Sequence, residues 1–307
     1  MKRVHPRHYP QFSCIAGECR HSCCIGWEID IDPESYEKYR KLPGEMGERL
    51  RRNIFEDEEG AHFLLTKQER CPFLNEKGLC DLILDQGEDI LCQICADHPR
   101  FRNFFSDREE IGLGLCCEAA GKLILSDEAP FELVEDGEER LSEEESMLIS
   151  LRKELFALLQ DRTLPMEARI HRLLQRCHVP ENEKTLSEWA KIFLALERLD
   201  EAWTEKLHGL SRPAESEKWP EHLEIPLEQL ACYFLYRHLA GAAEDGDIQG
   251  RAAFIALSVG IVAAIFRREP EASLDTLIEI ARLYSSEIEY SSENMQSLMD
   301  AWFEEGM

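Results

Sequence analysis

The organisation of the first part of the chain follows from residues 71–95, which read CPFLNEKGLCDLILDQGEDILCQIC. The four cysteines of this stretch, Cys71, Cys80, Cys92 and Cys95, are separated by eight, eleven and two residues. A two-residue spacing brings two sulfurs to the same side of a turn, and two further thiolates complete a four-sulfur site. Zinc and iron–sulfur clusters both prefer such ligands, so the spacing predicts a metal site without choosing between them. The alternative is a set of scattered buried thiols.

Most of the remaining cysteines lie near this set. Ten of the 12 cysteines fall at or before residue 117, and those outside the stretch above are Cys14, Cys19, Cys23, Cys24, Cys116 and Cys117. Adjacent cysteines rarely bind one small ion together, so one member of each doublet is expected to have another role. These thiols suffice for two four-sulfur sites, or for one site and several buried cysteines. Cys177 and Cys232 stand apart and are not expected to bind metal.

Composition and charge narrow the class of protein. Of the 307 residues, 44% are apolar and 31% are charged, as in a soluble globular protein. Acidic residues outnumber basic ones by 61 to 35, which gives a net charge of −26. This charge argues against a broad basic footprint for nucleic acid or an anionic membrane, and it favours a cationic substrate or partner. Clustered cysteines in the cytoplasm more often bind metal than form disulfides. We therefore expect a protein that does not bind nucleic acid.

The sequence shows no clear targeting or membrane segment. The chain begins Met-Lys-Arg-Val-His-Pro, with no apolar stretch behind the charges. The longest apolar run, Ala252 to Phe266, has 15 residues. As a helix it would reach about 22 Å, which is short of the roughly 30 Å of a bilayer core. We expect this run to be a buried helix, and the protein to be cytoplasmic with no membrane association.

Cysteine content and charge divide the chain in two. Residues 1–125 hold 17 basic and 23 acidic residues, whereas the remainder holds 18 and 38. The composition changes across residues 126–145, which are rich in Asp, Glu and Gly. We predict a Cys-rich metal- or iron–sulfur-binding domain over residues 1–126 and an acidic helical domain over residues 140–307. The predicted fold class is mainly α: an irregular Cys-rich N-terminal domain followed by an all-helical C-terminal domain.

Local patterns place helices in both parts. Asp32 followed by Pro33 is typical of a helix start, and Ser142 with Glu145 forms a capping box. Apolar residues at three- and four-residue spacing predict helices through the second half. A short strand is predicted over residues 62–66. The further predicted helices cover residues 45–55, 89–97, 111–125, 142–160, 165–177, 186–207, 227–243, 248–267, 272–284 and 292–302.

The cysteine blocks resemble those of the flagellin lysine-N-methylase family. The resemblance covers roughly residues 9–125. It rests on Phe12, Cys14, Cys19, Cys23, Cys24, Trp27, Ile29, Ile31 and Asp32; on Cys71 to Leu74 with Gly78, Leu79 and Cys80; on Gly87, Glu88, Leu91, Cys92, Cys95, Pro99 and Arg100; and on Leu115, Cys116, Glu118, Ala119 and Ala120. The family has Ser and Pro where this chain has Leu115 and Cys117. Cys116 therefore matches the family cysteine, and Cys117 is an additional one.

The resemblance implies an activity and a set of cofactors. The family methylates lysine ε-amines of flagellin, with S-adenosylmethionine as the methyl donor and an iron–sulfur cluster held by cysteines. We therefore expect a protein-lysine N-methyltransferase acting on flagellin or another lysine-bearing protein, with a 4Fe–4S cluster or, alternatively, zinc. The candidate metal ligands are Cys14, Cys19, Cys23, Cys24, Cys71, Cys80, Cys92, Cys95 and Cys116.

A broader group of cysteine-cluster proteins that chelate zinc or iron shares the same pattern. The alternative function is accordingly a metal-binding or redox protein without methyl transfer. No P-loop, HExxH or Ser-His-Asp arrangement occurs in the sequence, and Gly112 and Gly114 form only a fragment of a nucleotide-binding loop. Catalytic and donor-binding residues therefore stay unassigned.

Overall fold

A computed structural model gives the structure of residues 1–58, 60–214, 219, 221–271 and 273–304. Helices predominate, which confirms the prediction of a mainly α protein. The strands of these residues are β1 (Lys2–Pro6), β2 (Asp30–Ile31), β3 (Ile54–Glu56), β4 (Ala61–Phe63), β5 (Arg100–Phe105), β6 (Arg108–Leu113) and β7 (Leu133–Asp136). The helices are α1 (Pro33–Lys41), α2 (Gly44–Arg52), α3 (Asp81–Gln86), α4 (Gln93–Asp97), α5 (Glu118–Leu125), α6 (Glu143–Leu159), α7 (Met166–Arg176), α8 (Leu186–Ala195), α9 (Glu201–Gly209), α10 (Glu224–His238), α11 (Ala242–Asp245), α12 (Ile248–Phe266), α13 (Leu274–Tyr284) and α14 (Ser292–Phe303).

The chain forms two compact units whose limits differ from the expected boundary after residue 126. We call residues 13–100 the cysteine unit, and residues 1–12 together with those from 101 onward the helical unit. Residues 101–126 join the helical unit because β1 pairs with both β6 and β7, and because α5 packs on α10 and α13. Composition could not reveal this division, since pairing between β1 and strands about a hundred positions away leaves no compositional mark.

A small antiparallel sheet and short helices build the cysteine unit. The strand order is β2–β4–β3, with Asp30 opposite His62 and Ile54 opposite Phe63. Helix α1 begins where the sequence predicts, because the Asp32 carboxylate accepts a hydrogen bond from the Ser35 amide at 2.9 Å. One core joins these elements; its buried members are Ile29, Ile31, Tyr39, Leu50, Ala61, Phe63, Cys71, Phe73, Leu82, Ile90 and Cys92. The domain expected to be irregular thus contains regular elements, although they are short.

The helical unit contains a sheet that the sequence analysis did not predict. Its strand order is β5–β6–β1–β7, with β1 parallel to β6 and antiparallel to β7. Every regular element from residue 140 to the end of the described residues is helical. Helix α6 starts with the predicted capping box, in which the Ser142 hydroxyl accepts from the Glu145 amide at 3.1 Å and the Glu145 carboxylate accepts from the Ser142 amide at 2.8 Å.

Helix α12 is the central helix of the helical unit. It packs against α7, α10, α13 and α14, and its apolar side chains are buried all around. Residues flanking the apolar run extend the helix to 19 residues, so by length and composition alone it would qualify as a membrane span. Most of it, 78%, is buried inside the chain, as in the core helix of a soluble protein.

Several helix predictions were wrong in extent. The predicted helix 111–125 is a strand up to Leu113 and a helix only from Glu118, because alternate residues of β6 face the core. The predicted helix 186–207 is two helices, because Asp200 caps a new helix by accepting from the Ala202 amide at 2.8 Å. The predicted helix 45–55 ends at Arg52, where the chain turns into β3. The predicted start at Ala272 lies outside the described residues.

Candidate metal centre

Five thiols of the cysteine unit lie together, and we call them the five-thiol cluster: Cys24, Cys71, Cys80, Cys92 and Cys95. Cys71 is close enough to the thiols of Cys24, Cys80 and Cys92 to interact with them electrostatically. Cys95 interacts in the same way with Cys24 and Cys71, and its thiol forms a hydrogen bond with Cys92. Cys71 and Cys92 are buried, and the other three are partly exposed. The structure thus groups the tight sequence set with Cys24 as a fifth member.

Backbone hydrogen bonds bring the cysteine-bearing segments together. The Cys71 amide donates to the Cys24 carbonyl at 2.8 Å, and the next bridge along pairs Ile25 with Arg70. On the other side of the set, the Asp81 amide donates to the Phe73 carbonyl at 2.8 Å, which folds the turn between Cys71 and Cys80 back on itself.

The pair Cys92 and Cys95 lies at the start of α4. Cys92 precedes the first helical residue, and its carbonyl accepts from the Ala96 amide at 2.9 Å. This single turn places both sulfurs on the same side of the helix, as the two-residue spacing predicts.

Hydrogen bonds of Arg49 and Asp81 stabilise the turn between Cys71 and Cys80. The Arg49 guanidinium donates to the Asp81 carboxylate and to the Pro72 carbonyl, both at 2.7 Å. The Asn75 side-chain amide donates to the other Asp81 oxygen at 2.9 Å. These contacts hold the segments that follow Cys71 and Cys80 against α2. Sequence reasoning missed them, because Arg49 and Asp81 are 32 positions apart and belong to no recognised motif.

The protonation of the thiols follows from burial and from hydrogen bonds between them. Burial, with a smaller contribution from the neighbouring thiols, raises the pKa of Cys71 to about 12. Burial also raises the pKa of Cys80. Hydrogen bonding between Cys92 and Cys95 lowers the pKa of Cys92 and raises that of Cys95. Without a cation the cluster therefore keeps most of its protons at neutral pH, and binding a metal would have to release them.

Three other predicted ligands lie on the loop before β2. Cys14 and Cys23 are exposed and Cys19 is partly exposed. Cys14 accepts from the Ala16 amide at 3.4 Å, and the Cys19 thiol donates to the His21 carbonyl at 3.2 Å. A hydrogen bond from Cys23 lowers the pKa of Cys24 to about 7.

Two glycines allow this loop to pack against the turn that precedes Cys80. A Cβ atom added at Gly17 would lie 2.6 Å from the Lys77 carbonyl oxygen, and one added at Gly78 would lie 3.3 Å from the Gly17 Cα. The close backbone approach therefore depends on glycine at position 17.

The remaining predicted ligand, Cys116, lies in the helical unit. Its thiol donates to the Tyr290 hydroxyl at 3.1 Å, and burial raises its pKa to about 11. The Arg237 guanidinium lies 4.8 Å from the centre of the Tyr290 ring and 4.9 Å from that of Phe101. Arg237 in turn pairs with the buried Glu289. Sequence reasoning did not foresee these surroundings, since the partners of Cys116 come from distant segments.

The donor set can be compared with what a metal would require. All twelve cysteines, each within the described residues, are free thiols. Across the described residues, no three His, Cys, Asp or Glu side chains are arranged so that they could hold one metal ion. The five-thiol cluster offers the type and number of ligands that zinc or an iron–sulfur cluster needs. To bind one, however, its side chains would have to turn toward a common point. The metal site therefore stays a prediction.

Comparison with known proteins adds a distant likeness. The chain is 27% identical over 136 residues to a lysine-N-methylase of Salmonella typhimurium, and equally so to one of Salmonella choleraesuis. It is 26% identical over 128 residues to the flagellar biosynthetic protein FliU of Salmonella muenchen. Each match covers 40% of this chain; it covers 32% of either lysine-N-methylase and 76% of FliU. The chain thus spans about a third of the length of the lysine-N-methylases that it matches.

No protein-family model matches the chain, and no solved structure is significantly similar to it. The likeness to the curated relatives agrees with the resemblance given by the cysteine blocks. It covers less than half of the chain at low identity, so it makes this chain a distant relative of those proteins over that part.

Proposed function

We propose that the protein is a lysine N-methyltransferase whose substrate is flagellin or another lysine-bearing protein, with S-adenosylmethionine as methyl donor. The observation that carries this proposal is the similarity to proteins named lysine-N-methylase and FliU over 40% of the chain. The names of these relatives, rather than any catalytic motif, point to lysine methylation in a flagellar context.

The charge of the chain suits this reaction. A lysine side chain and the sulfonium of the donor are both cations, and the protein has a net charge of −26. A protonated amine is not a nucleophile, so the site must lower the pKa of the lysine or provide a base that removes its proton. No residue is assigned to that role.

The five-thiol cluster is proposed as the metal centre of this enzyme. Cys71, Cys80, Cys92 and Cys95 would hold a 4Fe–4S cluster, or zinc as the alternative, with Cys24 beside them. Such a cluster supplies a redox-active centre that also cross-links the segments bearing its ligands. The contacts of Arg49 and Asp81 would orient the segments that follow Cys71 and Cys80, whether the centre acts in transfer or supports the fold.

A second candidate function is a metal-binding or redox protein without methyl transfer. The observation in its favour is that all members of the five-thiol cluster lie within the cysteine unit. A centre built from that unit alone would need no substrate-binding partner elsewhere in the chain.

A methyl-transfer assay tests the proposal and separates the two candidates. The full chain, purified without oxygen, is incubated with S-adenosylmethionine carrying a labelled methyl group and with flagellin. The proposal predicts label on flagellin lysines and none on flagellin whose lysines have been acetylated. Cys95→Ser should abolish transfer, and Cys177→Ser, outside the cysteine unit, should retain it. Metal-replete protein that labels no lysine of flagellin or of other bacterial proteins would leave only the second candidate.

A further inference from the structure

Cys24 and Cys71 lie directly opposite each other on two antiparallel segments. Ile25 forms an antiparallel bridge with Arg70, so the residue before Ile25 faces the residue after Arg70. The Cys71 amide donates to the Cys24 carbonyl at 2.8 Å, which is one of the two backbone hydrogen bonds that such a pair can exchange. On the other side of the bridge, the Gly26 amide donates to the carbonyl of the residue before Arg70 at 2.9 Å. These bonds fix the register of the two cysteines.

The spacing of the two backbones suits a disulfide. Residues directly opposite each other on antiparallel segments place their side chains on the same face, with Cα atoms about 5.5 Å apart in a hydrogen-bonded pair. Disulfides in proteins join residues whose Cα atoms are about 4.4–6.8 Å apart. A bond between the two sulfurs therefore needs rotation of the side chains and no displacement of the backbone.

The two thiols differ in their access to solvent. Both are free thiols in the structure. Cys71 belongs to the core of the cysteine unit and is 6% exposed. Cys24 packs against that core and is partly exposed. An oxidant in solution therefore reaches Cys24 first, and Cys71 is the thiol that lies opposite the oxidised sulfur.

We propose that Cys24 and Cys71 form a reversible disulfide when the chain meets hydrogen peroxide. The Cys24 thiolate attacks a peroxide oxygen, so an S–O bond forms, the O–O bond breaks, and the hydroxide that leaves takes a proton to become water. The Cys71 sulfur then attacks the Cys24 sulfur, so the S–S bond forms, the S–O bond breaks, and a second water leaves. In total the two thiols lose two electrons and two protons, and one peroxide is reduced to two waters. The proposal depends neither on the metal centre nor on methyl transfer.

The disulfide closes a loop that contains the sheet and the two longest helices of the cysteine unit. The segment between the two cysteines includes β2, α1, α2, β3 and β4. A cross-link between the ends of this segment restricts the unfolded chain more than the folded one, so oxidation should raise the unfolding midpoint of the cysteine unit. A dithiol reductant should reverse the change.

Peptide mapping of the full chain tests the proposal. The chain is reduced, freed of any metal with a chelator, and treated with hydrogen peroxide; the remaining thiols are alkylated before digestion with trypsin. Cleavage after Lys and Arg leaves Cys24 in the peptide 21–38, Cys71 in the peptide 71–77, and Cys80, Cys92 and Cys95 together in the peptide 78–100. We expect peptides 21–38 and 71–77 to appear joined, with the loss of two hydrogen atoms, and to separate again on reduction.

Two neighbouring cysteines provide matched variants, because the peptide 21–38 also contains Cys23. Cys24→Ser should lose the joined peptides and the rise in unfolding midpoint, whereas Cys23→Ser should keep both, since only Cys24 is in register with Cys71. The unfolding midpoint of each reduced variant checks that the cysteine unit is folded before oxidation.

Three results would overturn the proposal. The first is a peroxide-treated wild-type chain in which the peptide 71–77 stays unlinked. The second is a chain in which this peptide is joined to the peptide 78–100, because Cys71 would then pair with another thiol of the five-thiol cluster. The third is a link that survives Cys24→Ser and is lost in Cys23→Ser.

Discussion

At the scale of residues, hydrogen bonds from side chains to residues far away in the sequence connect the segments of the cysteine unit. Asp81 accepts from Arg49 and Asn75, and Asp32 joins α1 to α4. The sequence alone points to the thiols, because cysteine is rare and its spacing is characteristic. It does not point to Arg49, because a charged residue on a short helix has many possible partners.

Cysteines inside and outside the cluster should respond differently to substitution. We expect Cys92→Ser to lose bound metal and to lower the unfolding midpoint of the cysteine unit, because the free energy of metal binding is part of the free energy of folding. Cys177→Ser, in the helical unit, should keep the metal content of the wild type. Metal analysis and thermal unfolding of the two variants measure both effects. Equal metal content in both would show that Cys92 is not a ligand.

His8 should make the stability of the helical unit depend on pH. Burial lowers the pKa of His8 to about 4, from an ordinary value of 6.5. Between these values the unfolded chain binds a proton that the folded chain does not, so the free energy of unfolding falls as the pH drops from 6.5 toward 4. The loss is roughly 3 kcal/mol over this range, and above pH 6.5 the group has no effect.

His8→Phe isolates this effect, since the ring still packs against Phe131, which lies 6.0 Å away between centroids. Denaturant unfolding of wild type and variant at several pH values gives the difference between their free energies of unfolding. The difference in stability should change steeply below pH 6.5 and stay constant above it. A difference that is independent of pH would mean that His8 does not titrate as described.

At the scale of elements, β6 and α6 are joined by a buried ion cluster. Glu110, on β6, accepts from Arg152 of α6 at 2.7 Å and also pairs with Arg108. All three side chains are at most 2% exposed. Removing one partner of such a cluster leaves charge buried without compensation, which costs about 3–5 kcal/mol.

Glu110→Gln should therefore lower the free energy of unfolding by about 3–5 kcal/mol, as measured by denaturant titration. Glu109→Gln is the matched control, because the neighbouring Glu109 is 20% exposed and makes longer ion pairs with Arg3 and Arg102, at 3.6 and 3.5 Å. Its cost should stay below about 1 kcal/mol. Similar costs for the two variants would contradict the role of the buried cluster.

The turn at Ala16–Glu18 should tolerate no side chain at its glycine. Gly17→Ala places a Cβ atom against the Lys77 carbonyl, so the two loops must separate or shift, at a cost of about 1–3 kcal/mol. Gly209→Ala is the control, since a Cβ atom there meets nothing within 4 Å. Urea unfolding of both variants measures the costs. A Gly17→Ala variant as stable as the wild type would show that the loops do not pack as described.

Elements were predictable where the signal is local. Asp32 with Pro33, and Ser142 with Glu145, mark the starts of α1 and α6, because capping is decided within one turn of helix. The strand β6 was missed, because Ile111 to Leu113 continues into an apolar run that also suits a helix. Pairing with β1 makes this segment a strand, and no pattern within the segment predicts that pairing.

At the scale of the whole molecule, the sequence indicates the type of chemistry, whereas the structure indicates which cysteines lie near one another. The ordered cysteine blocks and the acidic charge suggested the metal site and a cationic substrate. The structure groups Cys24 with the tight set and places Cys116 in the other unit, which the order of the blocks could not show.

The content of iron, zinc and acid-labile sulfide in the full chain, purified without oxygen, tests the central claim that the five-thiol cluster is a metal centre. We predict about four irons and four sulfides per chain, with the visible absorption of an iron–sulfur cluster. Zinc without sulfide would keep the centre and contradict its iron–sulfur character. A chain that holds neither iron nor zinc in stoichiometric amount would contradict the claim itself.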